Sequence, residues 1–326
     1  MVEGRPGLQV ISAGFFTTIQ DEGRRGYARF GMPGSGPMDW FALRAANRLV
    51  VNEPGAAGLE FAVEGPVLEA RQDALVAVTG RGFRLWIQGR RIGLWMAAWA
   101  RPGERIEVRA DERVGQLSPG WGYLAVAGGI ATRPVLGSRS TYLRGGLGGL
   151  EGRSLVAGAM LPIGGWMTAK AILKLAGRRL PPERRPTYTD KVTVPVIPGP
   201  QADDFDQENL QIFLNAAYTV TGSSDRMGYR LDGPALRSRG SGEMLSEGMP
   251  VGSVQVPPGG QPILMMSDCP TTGGYPKIAV AARCGLPLAA QTPLGRGKLR
   301  FRAVTVDEAR EMYQQMVQRI DTGIES

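Results

Sequence analysis

SVQVPPGGQPILMMSDCPTTGGYPKIAVAA, residues 253–282, decides the fold. Three runs rich in Val, Ile, Leu and Met (253–258, 261–267 and 277–282) are separated by Pro- and Gly-rich gaps. Runs of that length suit β-strands and are too short for helices, and the Pro-Gly punctuation closes them into turns. Upstream, TGSSDRMGYRL (221–231) continues the style. Isolated charges at Asp225, Arg226, Asp268 and Lys277 stand among this turn chemistry. Gly in such a run marks a positive φ or a place where something approaches the backbone closely. The pattern predicts the rim of a cavity.

Outward from this stretch, further strands are predicted at 192–199, 218–221 and 298–304, with a helix at 203–214. The chain closes on a helix that Thr305 and Glu308 open as a capping box. Its apolar stripe is Ala309, Met312, Tyr313, Met316, Val317 and Ile320. The first half reads alike, with strands at 74–80, 83–89, 105–110 and 122–129 and a helix at 38–50. A short helix followed by RRLPPERRP predicts a linker at 166–190, between an N-terminal domain (1–165) and a C-terminal domain (191–326). The expected fold is mainly β with a few helices, in two barrel-like domains. A short echo joins the halves: Arg24-Arg25-Gly26-Tyr27 precedes Gly31-Met32-Pro33, and Arg226-Met227-Gly228-Tyr229 precedes Gly248-Met249-Pro250.

Composition narrows the chemistry. With 326 residues, 43% of them hydrophobic, the chain is long enough for two packed domains. No apolar run reaches the ~18–20 residues of a membrane span, and the N-terminus lacks the pattern of a secretion signal. Two cysteines make no disulfide framework, so a cytoplasmic setting is expected. The net charge of +8 favours anionic partners, but the densest Arg cluster (Arg178, Arg179, Arg184, Arg185) lies in a Pro-rich stretch without aromatics. No nucleic-acid partner is expected. Histidine is absent, which excludes Ser-His-Asp and Cys-His catalysis within this chain and, with so few cysteines, predicts no metal site. Proton transfer falls to Asp, Glu, Lys, Tyr, Cys or a partner's group.

Three constellations carry chemistry. GMPGSGPMD (31–39) feeds a Gly/Pro loop containing Ser35 into a helix, whose N-terminal N–H groups suit an anion; Asp39 either caps that helix or handles a proton. TTGGYPK (271–277) admits two readings. Thr272, Gly273, Gly274 and Tyr275 could form an N–H nest beside the Lys277 cation, or a tight hairpin could leave Lys277 exposed. In SDRMGYR (224–230), Asp225 sits beside Arg226, which either clamps a carboxylate or pairs structurally. Gln255 suits an amide substrate or a strand edge. Cys269 has no His to activate it.

At these residues the chain resembles the biotin-dependent carboxyltransferase family. The resemblance rests on TTIQDEGRRGYARFGMPGSGPMD (17–39), YLAVAGGI (123–130), VLGSRSTY (135–142), GPQADDF (199–205), SDRMGYRL (224–231), LSEGMPVGSVQVPPGGQPI (245–263) and TTGGYPKIA (271–279). It implies tandem cyclophilin-like β-barrel domains. It also implies the C-type component of an ATP-dependent 5-oxoprolinase, opening 5-oxo-L-proline to L-glutamate with a B-type (KipI-like) and an A-type (LamB/YcsF-like) partner. ATP would be bound by the complex or by this chain. No biotin-attachment motif is present, which favours this reading over a complete urea carboxylase. Two alternatives remain: a carboxyltransferase component for urea or a related amide, using carboxybiotin on a partner, and a non-catalytic KipA-like regulator. The resemblance assigns catalysis to Lys277, Asp39 and Asp225. Substrate binding falls to Arg226, Gln255, Thr272, Gly273, Gly274, Tyr275 and Ser35.

Overall fold

A computed structural model of the chain describes residues 5–111, 120–239 and 244–325. The chain divides into two compact units. Unit 1 comprises Met1–Arg24, Ser35–Pro186 and Val317–Ser326; unit 2 comprises Arg25–Gly34 and Thr187–Met316. Five α-helices lie among the described residues: α1 (Trp40–Leu49), α2 (Ala169–Leu175), α3 (Gln207–Asn215), α4 (Leu286–Ala290) and α5 (Val306–Asp321).

Unit 1 contains two antiparallel sheets. The six-stranded sheet runs in the order Met160–Ile163, Arg5–Ser12, Val67–Ala70, Arg105–Ala110, Phe83–Ile87, Arg90–Ile92. The five-stranded sheet runs Phe16–Gln20, Gly58–Ala62, Trp121–Val126, Ala74–Gly80, Ala97–Ala100. Leu68, Leu85, Ile106 and Val108 from the first join Leu59, Phe61, Val76, Val78, Leu124 and Val126 from the second in one core. The strand ALVAVTG is buried along its whole length, as a run apolar on both faces requires. Val76 and Val78 enter the core between the sheets, whereas Leu75 and Ala77 pack with Ala46 and Leu49 of α1. Small residues at Ala77, Ala97 and Ala125 let that helix approach closely. Of the linker read at 166–190, residues 166–186 belong to unit 1, where Ile172 of α2 is fully buried in the same cluster.

Unit 2 is built on a closed seven-stranded barrel. Its order is Lys191–Pro198, Lys277–Ala281, Ser253–Gln255, Ile263–Met265, Gly228–Asp232, Tyr218–Val220, Lys298–Ala303. Closure removes the unpaired edges an open sheet would expose. The last strand returns to the first through a parallel pair, Lys191↔Lys298 to Val196↔Ala303. The stretch 253–282 supplies three barrel strands, each shorter than its apolar run. Pro257, Pro258 and Pro262 flank the paired segments because proline has no N–H to give the ladder. α3 begins at Gln207, later than the sequence indicates, because Asp206 caps it by accepting from the Asn209 N–H at 2.8 Å. Phe213 of α3 stacks on Phe301 at 4.5 Å between ring centres. The capping box of α5 forms in both directions: Thr305 N–H donates to Glu308 at 2.7 Å and Glu308 N–H to Thr305 Oγ1 at 3.2 Å.

The internal echo marks places with different local structure. Gly26-Tyr27 leads into a single 3₁₀ turn, Ala28–Phe30, whereas Gly228-Tyr229 opens a barrel strand with Tyr229 buried.

Candidate functional site

In unit 2 the structure gathers Lys277, Gln255, Thr272, Gly273, Gly274 and Tyr275. Gln255 and Lys277 are register partners on neighbouring barrel strands, next to an irregularity that follows Val254. The stretch TTGG is extended. Thr272–Gly273 pairs antiparallel with Glu247–Gly248, and neither Gly273 nor Gly274 has a positive φ, so no N–H nest forms. Gly273 lets two side-chain ends approach its Cα closely. A Cβ there would stand 2.3 Å from Met249 Cε and 2.6 Å from Gln255 Nε2. Gln255 Nε2 also lies 3.4 Å from the Tyr275 carbonyl, to which it donates.

Lys277 is not the exposed residue of a hairpin. It is 2% exposed, and its ammonium donates to Glu247 in a short ion pair. Gln201 completes the arrangement: its Nε2–H donates to Glu247 Oε1 at 2.7 Å, and its Oε1 accepts the Lys277 backbone N–H at 3.2 Å. The Lys277 ammonium and then the Gln201 amide hold the Glu247 carboxyl below the usual carboxylate range. A buried ammonium needs such a partner, because taking it out of water unpaired costs several kcal/mol, on the order of the desolvation of a single ion. The Glu247 side chain is the solvent-facing member, 38% exposed. The cluster therefore presents a carboxylate kept ionised over a buried cation, with an amide aligned to both. An anionic or oxyanion-forming group that displaced Glu247 would meet a desolvated positive charge.

Arg226 belongs to another network. It grips Asp268 with two parallel bonds, Nε at 2.7 Å and Nη2 at 3.1 Å, and both side chains are under 10% exposed. The neighbouring Asp225 accepts from the Met227 N–H at 2.8 Å and the Gly228 N–H at 3.3 Å, fixing the turn into the barrel strand. Cys269 beside this pair is buried. Burial first, and then the Asp268 charge, push its thiol up to about 12, which leaves it protonated and unreactive.

Asp39 and Ser35 lie in unit 1. Asp39 is fully buried and caps α1, its Oδ1 accepting from the Ala42 N–H at 2.9 Å. Two of the N–H groups that the sequence offers to an anion here are taken by tertiary partners. Met38 N–H donates to Glu60 Oε2 at 2.7 Å and Asp39 N–H to the Tyr123 hydroxyl oxygen at 2.7 Å. Tyr123 in turn donates to Glu60 at 2.8 Å. Burial, followed by the charges of Glu60 and Asp39, raises the Tyr123 phenol well above its ordinary value. Ser35 adopts a left-handed φ of 54°, and its buried Oγ has no partner among the described residues.

The sequence reading missed Glu247 and Gln201, although LSEGMPVG and GPQADDF were among the motifs of the resemblance. Each contains a polar side chain beside Gly or Pro, which was the available signal. It also missed Asp21, whose carboxylate ties two of those motifs together. Asp21 Oδ1 accepts from Ser138 Oγ at 2.5 Å, Ser140 Oγ at 2.7 Å and the Gly23 N–H at 2.9 Å. The glycine-rich segment 142–153 packs against this network. At Gly148 (φ 71°) a Cβ would fall 2.0 Å from the Ser140 carbonyl oxygen. Among the described residues no group of three or more His, Cys, Asp and Glu could hold a metal ion, and no helix is long and apolar enough to cross a membrane.

A mainly β chain with a seven-stranded barrel and a buried lysine held by a carboxylate has clear relatives. Residues 30–303 match the family described as carboxyltransferase domain, subdomain A and B, and the chain belongs to that family. It is 38% identical over 310 residues to the C subunit of 5-oxoprolinase from Escherichia coli (strain K12), a match covering 93% of each chain. Among solved structures, TTHA0988 superposes with a TM-score of 0.80 at 35% identity, covering 91% of this chain and 56% of that one. The urea carboxylase of Kluyveromyces lactis superposes with a TM-score of 0.88 at 27% identity, covering 99% of this chain and 29% of that one. The chain thus spans about half of the first solved protein and less than a third of the second.

Proposed function

We propose that the chain is the C-type component of an ATP-dependent 5-oxoprolinase, acting with A- and B-type partners in the cytoplasm to convert 5-oxo-L-proline to L-glutamate. The observation that carries this reading is the end-to-end match to a protein named as the C subunit of 5-oxoprolinase, 93% of each chain. The geometry of unit 2 supports it. Opening a neutral ring amide requires its oxygen to carry negative charge as it is activated, and a desolvated cation is the group that stabilises such charge. In this reading Lys277 meets that oxygen once Glu247 is displaced, and Glu247, kept ionised until then, accepts or positions a proton. Gln201 and Gln255 orient the amide. ATP enters as a co-substrate: its terminal phosphoryl group passes to the amide oxygen with release of ADP, and water then opens the ring with release of phosphate. Arg226 and Asp225 hold the turn that leads into the barrel, and Asp39 and Ser35 shape the entry to α1.

The test is oxoproline-dependent ATP hydrolysis by the purified chain alone, with the B-type partner, and with both partners. Turnover only in the complete mixture supports the reading, and its absence there overturns it. The superposition on urea carboxylase over 99% of this chain favours a second reading, a carboxyltransferase component for urea or a related amide. Urea-dependent turnover that requires a biotinylated partner, with none on oxoproline, would select it.

A further inference from the structure

On the outer surface of the unit 2 barrel, the parallel strand pair that closes the barrel forms a groove of about 400 Å³. Its lining is Lys191, Val192, Thr193, Ala217, Lys298 and Arg300. The register sets Lys191 opposite Lys298 and Thr193 opposite Arg300, and all four side chains are exposed because each alternates with an inward-facing apolar residue. Lys298 thus stands one strand spacing from Lys191 and one two-residue step from Arg300, roughly 5–7 Å along the backbone, with Lys191 and Arg300 on the diagonal. Like charges placed opposite one another across strands repel. Nothing in the fold relieves them: none of the three makes an ion pair or a side-chain hydrogen bond among the described residues. No carboxylate lines the groove. Asp190 lies toward Arg296, at 3.9 Å, and Asp232 is separated from Lys298 by Thr219 on the intervening strand.

We propose that this groove is a binding site for an oligophosphate, the chemistry shared by inorganic tripolyphosphate and the phosphate tail of a nucleotide. A compact ligand with several adjacent negative charges is what three converging, unneutralised cations fit, with Thr193 adding a hydroxyl donor. An extended acidic segment would need a longer track of cations than this six-residue lining gives. The groove contains no aromatic ring on which a base could stack, so it reads charge and is indifferent to a nucleobase. The site is separate from the Lys277 cluster and does not rest on the oxoprolinase reading.

The test is isothermal titration and thermal unfolding of the full chain with tripolyphosphate, ATP and adenosine, with sodium sulfate at matched ionic strength as the control. Tripolyphosphate and ATP are expected to bind alike and to raise the melting temperature, while adenosine and sulfate do neither. In the Lys298→Gln/Arg300→Gln double variant, affinity should fall at least tenfold. The ligand-free variant should melt no lower than wild type, because the change removes repulsion. Markedly tighter binding of ATP than of tripolyphosphate would overturn the reading that the groove recognises charge alone. No tripolyphosphate binding, an equal effect of sulfate, or binding that the double variant leaves intact overturns the proposal. Since the readout is binding by this chain alone, failure here leaves the reading of turnover standing, and failure of turnover leaves this one standing.

Discussion

At the scale of single residues, the pairing of Lys277 with Glu247 makes the two partners unequal. Replacing Glu247 with Ala strands a buried ammonium, and the expected cost is about 1–3 kcal/mol in urea unfolding. Lys277→Met is expected to be milder, because Met fills the same burrow and leaves Glu247 in water. Activity should invert that order: with both partner proteins present, Lys277→Met is expected to lower turnover by about 100-fold or more, as for the loss of a charge-stabilising group. The pair also has a pH signature. The folded Glu247 value is depressed, so its stabilisation is fully present above the unfolded value of 4.5 and is lost as pH falls through the lower folded value. The stability gap between wild type and Lys277→Met should be flat above pH 4.5 and close below it; a gap that widens in acid would contradict the assignment. Arg226 and Asp268 form a more deeply buried pair, and Asp268→Ala alone is expected to cost about 3–5 kcal/mol. At this scale the sequence disclosed which residues are unusual but not whom they meet. Lys277 stood out among glycines, yet its partner lies thirty residues earlier on a strand two residues long, which no local pattern announces.

Elements were easier to read, because they are set by neighbours in the chain. The capping box at Thr305 and Glu308 and the strand ALVAVTG follow from spacing alone, and both occur as spaced. α1 was legible as a helix, but the purpose of its first turn was not. The Gly/Pro loop offered N–H groups to an anion, and tertiary partners, Glu60 and Tyr123, claim two of them. Asp39 therefore acts first as a cap. Asp39→Ala is expected to cost about 1–2 kcal/mol in equilibrium unfolding, whereas Asp39→Asn, which keeps the accepting oxygen, should cost little. Equal losses in the two variants would show that the charge matters more than the cap. The stretch TTGG illustrates the limit of local signals. Adjacent glycines suit a nest as well as a crowded extended strand, and only Met249 and Gln255 at the Gly273 Cα decide between them.

For the whole molecule, barrel-like β domains were visible in the repeated short apolar runs, but the pairing that closes the unit 2 barrel was not. It is a parallel pairing between residues more than a hundred positions apart. Both cysteines are buried, and burial raises the thiol of each. A thiol reagent such as Ellman's is expected to leave the native protein unmodified and to label both sites only on denaturation; fast labelling of the folded chain would contradict that burial. The units are also woven from discontinuous pieces, and this bears on how the polypeptide is made. Val317–Ser326 belongs to unit 1, where Arg179 and Glu325 exchange backbone hydrogen bonds and Ile320 has no solvent exposure. During synthesis, the portion emerging first from the ribosome must wait for Val317–Ser326 before its fold is complete. A stop codon just upstream of that segment would leave the early-made portion unfinished.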